Sequence, residues 1–208
     1  MLKTARHNLA LRQDLLIISE MIPNNAQVLD LGCGNGDLLH VLKEDKNIYA
    51  CGVEISQDKI IECVNKGVPV IHSDLNDGLS EFANNAFDFV VLSQTLQAVQ
   101  RPDKLLGDMM RIADKGLVSF MNIGYWGSRF QLLFKGKMPI TNTLPHNWYD
   151  TPNIHLATIK DFRDLCRASN IKIIKEIPFG KNLNFFTRVF PNILAPTCVF
   201  LIEKSKGA

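Results

Sequence analysis

The residues of this chain best suited to chemistry sit at the ends of short apolar runs. Val28-Leu29-Asp30-Leu31 leads into Gly32-Cys33-Gly34-Asn35-Gly36. Ile48 to Val53 is followed by Glu54 and Ile55, Val68 to Ile71 by His72-Ser73-Asp74-Leu75, and Phe87 to Leu92 by Ser93. Glycines at alternate positions let the backbone turn tightly and approach a ligand where a side chain would collide. The helix that follows is expected to turn its N-terminus and the N–H groups of the turn toward that ligand. Glu54 is placed to accept both hydroxyls of a ribose, through charge-assisted hydrogen bonds worth roughly 1.5–3 kcal/mol. Asp74 can take an exocyclic amine while Leu75 packs against a flat base. Together these groups describe an adenosine.

The remaining groups choose between cofactor classes. A dinucleotide site wants the spacing GxGxxG, with the pyrophosphate on the helix N-terminus. Here the spacing is GxGxG, and Asp30 stands two residues before the first glycine. A carboxylate beside a pyrophosphate is unfavourable, whereas a ligand carrying an amino group and a sulfonium gains from a nearby acid. The charge balance favours S-adenosylmethionine over NAD. The expected cofactor-binding set is Asp30, Gly32, Cys33, Gly34, Gly36, Glu54, Ile55, Asp74, Leu75 and Ser93.

These side chains need a scaffold that brings strand ends to one edge. From residue 27 to 121 short apolar runs alternate with helical stretches, roughly Gly36 to Glu44, Gln57 to Lys66 (Ser56 as its cap) and Pro102 to Ala113, with Gly116 read as the stop signal of the last. A fifth strand is expected over Gly116 to Met121. Alternating strands and helices with fully apolar strands predict a parallel sheet covered on both faces, whose ligands bind at the carboxyl ends of the strands. Leu11, Leu15, Ile18 and Ile22 form a helix-period stripe, predicting one helix over Leu9 to Ile22, with Arg12-Gln13-Asp14 either covering a ligand or forming a solvated face. After residue 121 the expectations are a short helix (Ser128 to Phe134), a loop (Lys135 to Asn153), and a helix opened by Thr158 and Asp161 as a capping box. A sixth strand (Ile171 to Ile177), a phenylalanine-bearing connection (Gly180 to Pro196) and a seventh strand (Thr197 to Glu203) complete the chain as a final antiparallel pair.

Composition bounds the rest. The 208 residues are 46% hydrophobic and 21% charged, suiting a single globular domain with a substantial core. Within it residues 1–26 read as an N-terminal helix, 27–121 as the cofactor-binding core, 122–170 as a lid or acceptor region and 171–208 as C-terminal strands. A net charge of +2 lacks the basic stripe of a nucleic-acid binder. The five cysteines have no CxxC spacing, so neither a metal site nor a disulfide frame is expected. No signal-peptide core is visible and the run Ile193 to Ile202 is too short to span a bilayer, which predicts a cytoplasmic protein with no membrane association.

The set from Val28 to Gly36, with Glu54, Asp74-Leu75 and Phe87-Asp88, resembles class I S-adenosylmethionine-dependent methyltransferases. More narrowly, the chain resembles the MetW family of bacterial methionine biosynthesis. The closer likeness is carried by Leu11-Arg12-Gln13-Asp14-Leu15, Leu92-Ser93-Gln94-Thr95-Leu96-Gln97, Leu117 to Asn122, Gly136-Lys137-Met138-Pro139 and Trp148 to His155. It covers residues 11 to about 165 and loosens beyond 170, and Met121 stands where the family more often has proline. The resemblance implies an α/β, Rossmann-like class I methyltransferase fold: a seven-stranded, mostly parallel sheet with the last strand antiparallel and helices on both faces. It also implies homoserine O-acyltransferase as partner, and leaves the methyl acceptor, a small molecule or a protein, unnamed.

Methyl transfer from a sulfonium is an in-line displacement that depends on holding the acceptor close and aligned. A base is needed only for a protonated acceptor. Ser93, Gln94 and Gln97 follow the fourth strand, where acceptor-facing residues fall; the alternative is that they cap the strand end. Leu92-Ser93-Gln94-Thr95 is not the Asn/Asp-Pro-Pro-aromatic motif of amine methyltransferases acting on nucleobases or glutamine. His155 is the candidate base, the alternative being a histidine that fixes the loop into the next helix. The catalytic set is therefore His155, Gln94 and Gln97. Two functions compete: a methyltransferase, or a non-catalytic, cofactor-sensing regulator of the acyltransferase. Phe185, Phe186, Val189 and Phe190 either form a partner patch or fold back onto the core.

Overall fold

A computed structural model describes residues 1–180 and 185–205. The chain begins with two helices, α1 (Leu2–Leu11) and α2 (Gln13–Met21), then runs β1 (Gln27–Leu31), α3 (Asp37–Lys46), β2 (Tyr49–Glu54), α4 (Gln57–Asn65), β3 (Val70–His72), β4 (Phe87–Ser93), α5 (Pro102–Ile112) and β5 (Ala113–Met121). It continues with α6 (Trp126–Lys135), α7 (Ile159–Ala168), β6 (Ile171–Phe179), the short α8 (Phe185–Val189) and α9 (Pro191–Leu194), and β7 (Thr197–Lys204). The seven strands form one sheet in the order β3-β2-β1-β4-β5-β7-β6. Strands β1 to β5 pair in parallel, while β7 inserts antiparallel between β5 and β6. This is the Rossmann-like arrangement expected from the sequence.

Strand alternation sends side chains to two cores. Leu29, Leu31, Val90, Leu92, Val118 and Phe120 pack with α5 and α7 on one face. Val28, Phe89, Val91 and Leu117 pack with α1, α2, α3 and Cys63 of α4 on the other. The strand order reverses between β1 and β4, and at such a switch point the two connections diverge and leave a crevice at the carboxyl ends. Asp30 and Ser93 flank it.

Several elements differ from expectation. The single N-terminal helix is two, broken at Arg12, whose φ of −108° and ψ of 88° leave the helical region. β3 starts at Val70 rather than Val68. Gly116 does not stop α5, which passes directly into β5 at Ala113. A β-carbon at Gly116 would lie 2.8 Å from both Ile202 and Met110, so this glycine admits close sheet-to-helix packing. Ser56 precedes α4 without a side-chain capping bond. The capping box is present as read: Thr158 Oγ1 accepts the Asp161 N–H, and the Thr158 N–H reaches the Asp161 carboxylate. The connection over Gly180 to Pro196 contains α8 and α9, its residues 181–184 lying outside the described part.

Candidate functional site

Four of the five N–H groups of the glycine turn find acceptors within the protein, mostly on β2. The Gly32 and Cys33 N–H groups both donate to the Val53 carbonyl, at 2.8 and 3.0 Å, and the Gly36 N–H donates to the Cys33 carbonyl at 3.1 Å. The Gly34 N–H donates to Glu54 Oε2 at 2.9 Å. The expected cradle of outward N–H groups is therefore largely used up, because β2 runs alongside and takes three of the donors, and only the Asn35 N–H of the turn has no partner among the described residues. What the turn provides is approach. Gly32 and Gly34 adopt φ of +71° and +58°, and nothing lies within 4 Å of a β-carbon built on Gly34.

Glu54 ends β2 with 6% exposure. Besides Gly34, it accepts the Ile55 and Ser56 N–H groups on Oε1 at 3.0 and 2.9 Å. Three backbone donors fix the carboxylate in one orientation and leave acceptor capacity on its oxygens, since an ionised carboxylate offers about four lone-pair sites.

A cleft of about 240 Å³ opens beside the turn, lined by Asn8, Arg12, Asp30, Asn35, Asp37 and Ser93 among its polar groups. Asp30 is 4% exposed, and its carboxylate makes no hydrogen bond to any described residue. Burial pushes this carboxyl up to about 7; Arg12 opposes the shift, while Glu54 and Asp14 add to it. Asp37, by contrast, is fully engaged: Lys66 Nζ donates to one oxygen at 2.7 Å and Asn8 Nδ2 to the other at 2.8 Å. The unpartnered buried acid of the cleft is Asp30.

Asp14 holds two of the cleft's lining residues, Arg12 and Ser93. At 1% exposure, its carboxylate accepts from Arg12 Nε at 2.9 Å and Nη2 at 2.7 Å, Ser93 Oγ at 2.7 Å, and Gln94 Nε2 and Ser119 Oγ at 3.2 Å each. Burial pushes the carboxyl up, but the Arg12 guanidinium with the two serine hydroxyls outweighs it and holds Asp14 below the usual carboxylate range. The helix break at Arg12 thus serves the site: it lets one side chain grip Asp14 while reaching Ser93 at 2.9 Å. The sequence phrase Arg12-Gln13-Asp14 was visible, but nothing local in it told a ligand-covering segment from a solvated face.

Of the other expected residues, Gly32, Cys33, Gly34 and Ser93 line the cleft with Asp30. Gly36 caps α3 in the left-handed region. Ile55 is exposed, and Asp74 holds the following turn by accepting the Asn76 N–H at 2.9 Å, while Leu75 packs partly onto the core. The three residues named for catalysis lie differently. Gln94 joins the Asp14 cluster. Gln97 is buried, its amide exchanging hydrogen bonds with both backbone groups of Met121 at 3.1 and 3.2 Å. His155 is exposed and is not among the residues lining the cleft, with Nε2 3.2 Å from the Gln100 carbonyl. Among the described residues no group of His, Cys, Asp and Glu could hold a metal, and no helix is long and apolar enough to cross a membrane.

The sheet order, the antiparallel β7 and the glycine turn at the switch point define the fold of class I S-adenosylmethionine-dependent methyltransferases. Solved structures carry the same fold at low identity. One is an S-adenosylmethionine-dependent methyltransferase from Mesorhizobium loti (16% identity, TM-score 0.67, covering 89% of this chain and 94% of that one). Another comes from Archaeoglobus fulgidus (17%, 0.63, 98% and 95%). Within that class the chain belongs to the family of methionine biosynthesis protein MetW, whose pattern matches residues 12–202. It is 35% identical over 179 residues to the bifunctional methionine biosynthesis protein MetXA/MetW of Rhodopirellula baltica, covering 82% of this chain and 29% of that protein. The chain spans less than a third of the length of the curated relatives it matches.

Proposed function

We propose that this protein binds S-adenosylmethionine and acts in methionine biosynthesis together with homoserine O-acyltransferase. The observation that carries the reading is the buried, unpartnered Asp30 carboxylate facing a cleft beside a glycine turn whose N–H groups at Gly32, Cys33, Gly34 and Gly36 are already taken. Such a site has little to offer a pyrophosphate and suits a ligand with an ammonium. In this reading Asp30 holds the amino group of the cofactor, and the Gly32–Gly36 backbone with Cys33 lies against it. Glu54, oriented by its three backbone donors, accepts ribose hydroxyls beside Ile55, and Asp74 with Leu75 receives the base. When bound, the cofactor supplies an electrophilic methyl group. The protein's own work is to bind, to orient and to exclude water, with Ser93 and Gln94 facing an acceptor, small molecule or protein, from the end of β4.

A second reading is a non-catalytic sensor that regulates the acyltransferase according to cofactor level. The placement of Gln97 on the Met121 backbone and of His155 against Gln100, neither of them lining the cleft, favours it. A relative named for both MetXA and MetW supports a physical partnership in either case, since it unites two functions in one chain. The test is homoserine O-acyltransferase activity with and without this protein across S-adenosylmethionine concentrations. Cofactor-dependent activity without methylated product supports the sensor, methylated product supports the enzyme, and no effect with no product removes both.

A further inference from the structure

We propose that the cleft beside Asp30 is a binding site for a free α-amino acid with an apolar side chain of about methionine's size, Asp30 taking the ammonium and Arg12 the carboxylate. The inference rests on the reading of this site as one for S-adenosylmethionine and deepens it, by separating the amino-acid half of the site from the nucleoside half. Two charges of opposite sign line the same small cleft: the unpartnered Asp30 carboxylate and the Arg12 guanidinium. Arg12 uses Nε and Nη2 on Asp14 and Ser93. Its Nη1 has no partner among the described residues, so a braced, charged fork still has donors for a carboxylate. Asn8, Asn35, Asp37 and Ser93 also line the cleft, with Asn8 and Asp37 bonded to each other at 2.8 Å. Leu15, Cys33 and Leu38 supply an apolar stretch of wall against which an unbranched alkyl or thioether chain can lie.

Size and connectivity point the same way. The cleft, at about 240 Å³, lies below the roughly 300–1,000 Å³ usual for drug-sized ligands. Ile55, Asp74 and Leu75 do not line it, and Glu54 is tied to the Gly34 backbone. An amino acid therefore fits the open half without disturbing the Glu54–Gly34 bond. In a protein of methionine biosynthesis, an apolar amino acid held here competes with the cofactor and adds product control to the same site.

Isothermal titration of the full chain tests this with L-methionine, its methyl ester (no carboxylate), 3-(methylthio)propionate (no ammonium), adenosine and S-adenosylhomocysteine. The expected result is L-methionine binding with Kd at or below about 1 mM, at least tenfold weaker binding of both truncated analogues, and competition with S-adenosylhomocysteine. Arg12→Gln, shown folded by circular dichroism, is expected to weaken L-methionine tenfold while leaving the methyl ester unchanged. If S-adenosylhomocysteine binds but L-methionine gives no heat to about 10 mM, the inference is overturned and the cofactor reading stands. If none of the ligands binds, both fall. Equal binding of L-methionine and its methyl ester overturns the pairing with Arg12.

Discussion

Glu54 Oε2 accepts the Gly34 N–H at 2.9 Å, which joins the end of β2 to the middle of the glycine turn. One carboxylate thus orders the turn and, in the function proposed above, accepts a ligand hydroxyl, so its removal is expected to have two effects. Glu54→Ala orphans the Gly34, Ile55 and Ser56 donors and is expected to lower stability by about 1–3 kcal/mol. It should also weaken S-adenosylmethionine binding roughly ten- to a hundredfold. Chemical denaturation and calorimetry read the two separately, and unchanged affinity in the folded variant would reject the ribose assignment.

Arg12→Ala leaves Asp14 buried with only hydroxyl and amide donors, and is expected to destabilise by about 1–3 kcal/mol near neutral pH. The pH dependence follows from the direction of the Asp14 shift. A carboxyl held below its ordinary value of 3.8 contributes stability that is present above 3.8 and lost as pH falls through the lower folded value. Without Arg12, burial dominates and Asp14 titrates higher, so acid unfolding of the variant should begin at higher pH. An acid limb unchanged from the parent would show that Arg12 does not set the Asp14 charge.

Asp30 has the opposite sign. Its carboxyl rises from 3.8 to about 7, so between those values the folded state holds a proton that the unfolded state has lost. Stability therefore falls as pH rises across that window, by up to about 4 kcal/mol once Asp30 is fully ionised. Asp30→Asn should melt higher than the parent at about pH 8 and lose that advantage toward pH 4, while binding any ammonium-bearing ligand more weakly. Melting curves at several pH values decide this, and a variant less stable than the parent at pH 8 would contradict the burial argument.

Phe186 and Phe190 are 61% and 55% exposed, so α8 and its end present them to solvent rather than folding them onto the core. Phe186→Glu with Phe190→Glu is expected to abolish co-purification with homoserine O-acyltransferase and to leave cofactor affinity within about twofold, since exposed substitutions seldom disturb the fold. Survival of the complex would remove this patch as the contact.

The legible part of the site was the part written in local order. Asp30 and the glycine turn stand at the end of β1, Glu54 at the end of β2 and Ser93 at the end of β4, and parallel strands bring their ends to one edge. The Asp14 cluster was not legible, because its partners Ser93 and Ser119 come from strands far along the chain and meet Asp14 only after the sheet forms. The satisfied state of the turn was hidden for the same reason, as the Val53 carbonyl and the Glu54 carboxylate arrive with β2. Gln97 read as a polar residue near a strand end. Its burial against Met121 depends on how the chain folds back after β4. Gly116 shows that a glycine near a helix end can be there for packing, which spacing alone does not reveal.

Titration of the full chain with S-adenosylhomocysteine and with NAD in parallel tests the central claim most directly. Saturable binding of the sulfur nucleoside, weakening as pH falls below about 7 while Asp30 gains its proton, with no heat from NAD, is the predicted result. Binding of NAD as tight as or tighter than the sulfur nucleoside would contradict it, as would failure of the nucleoside to bind at any pH.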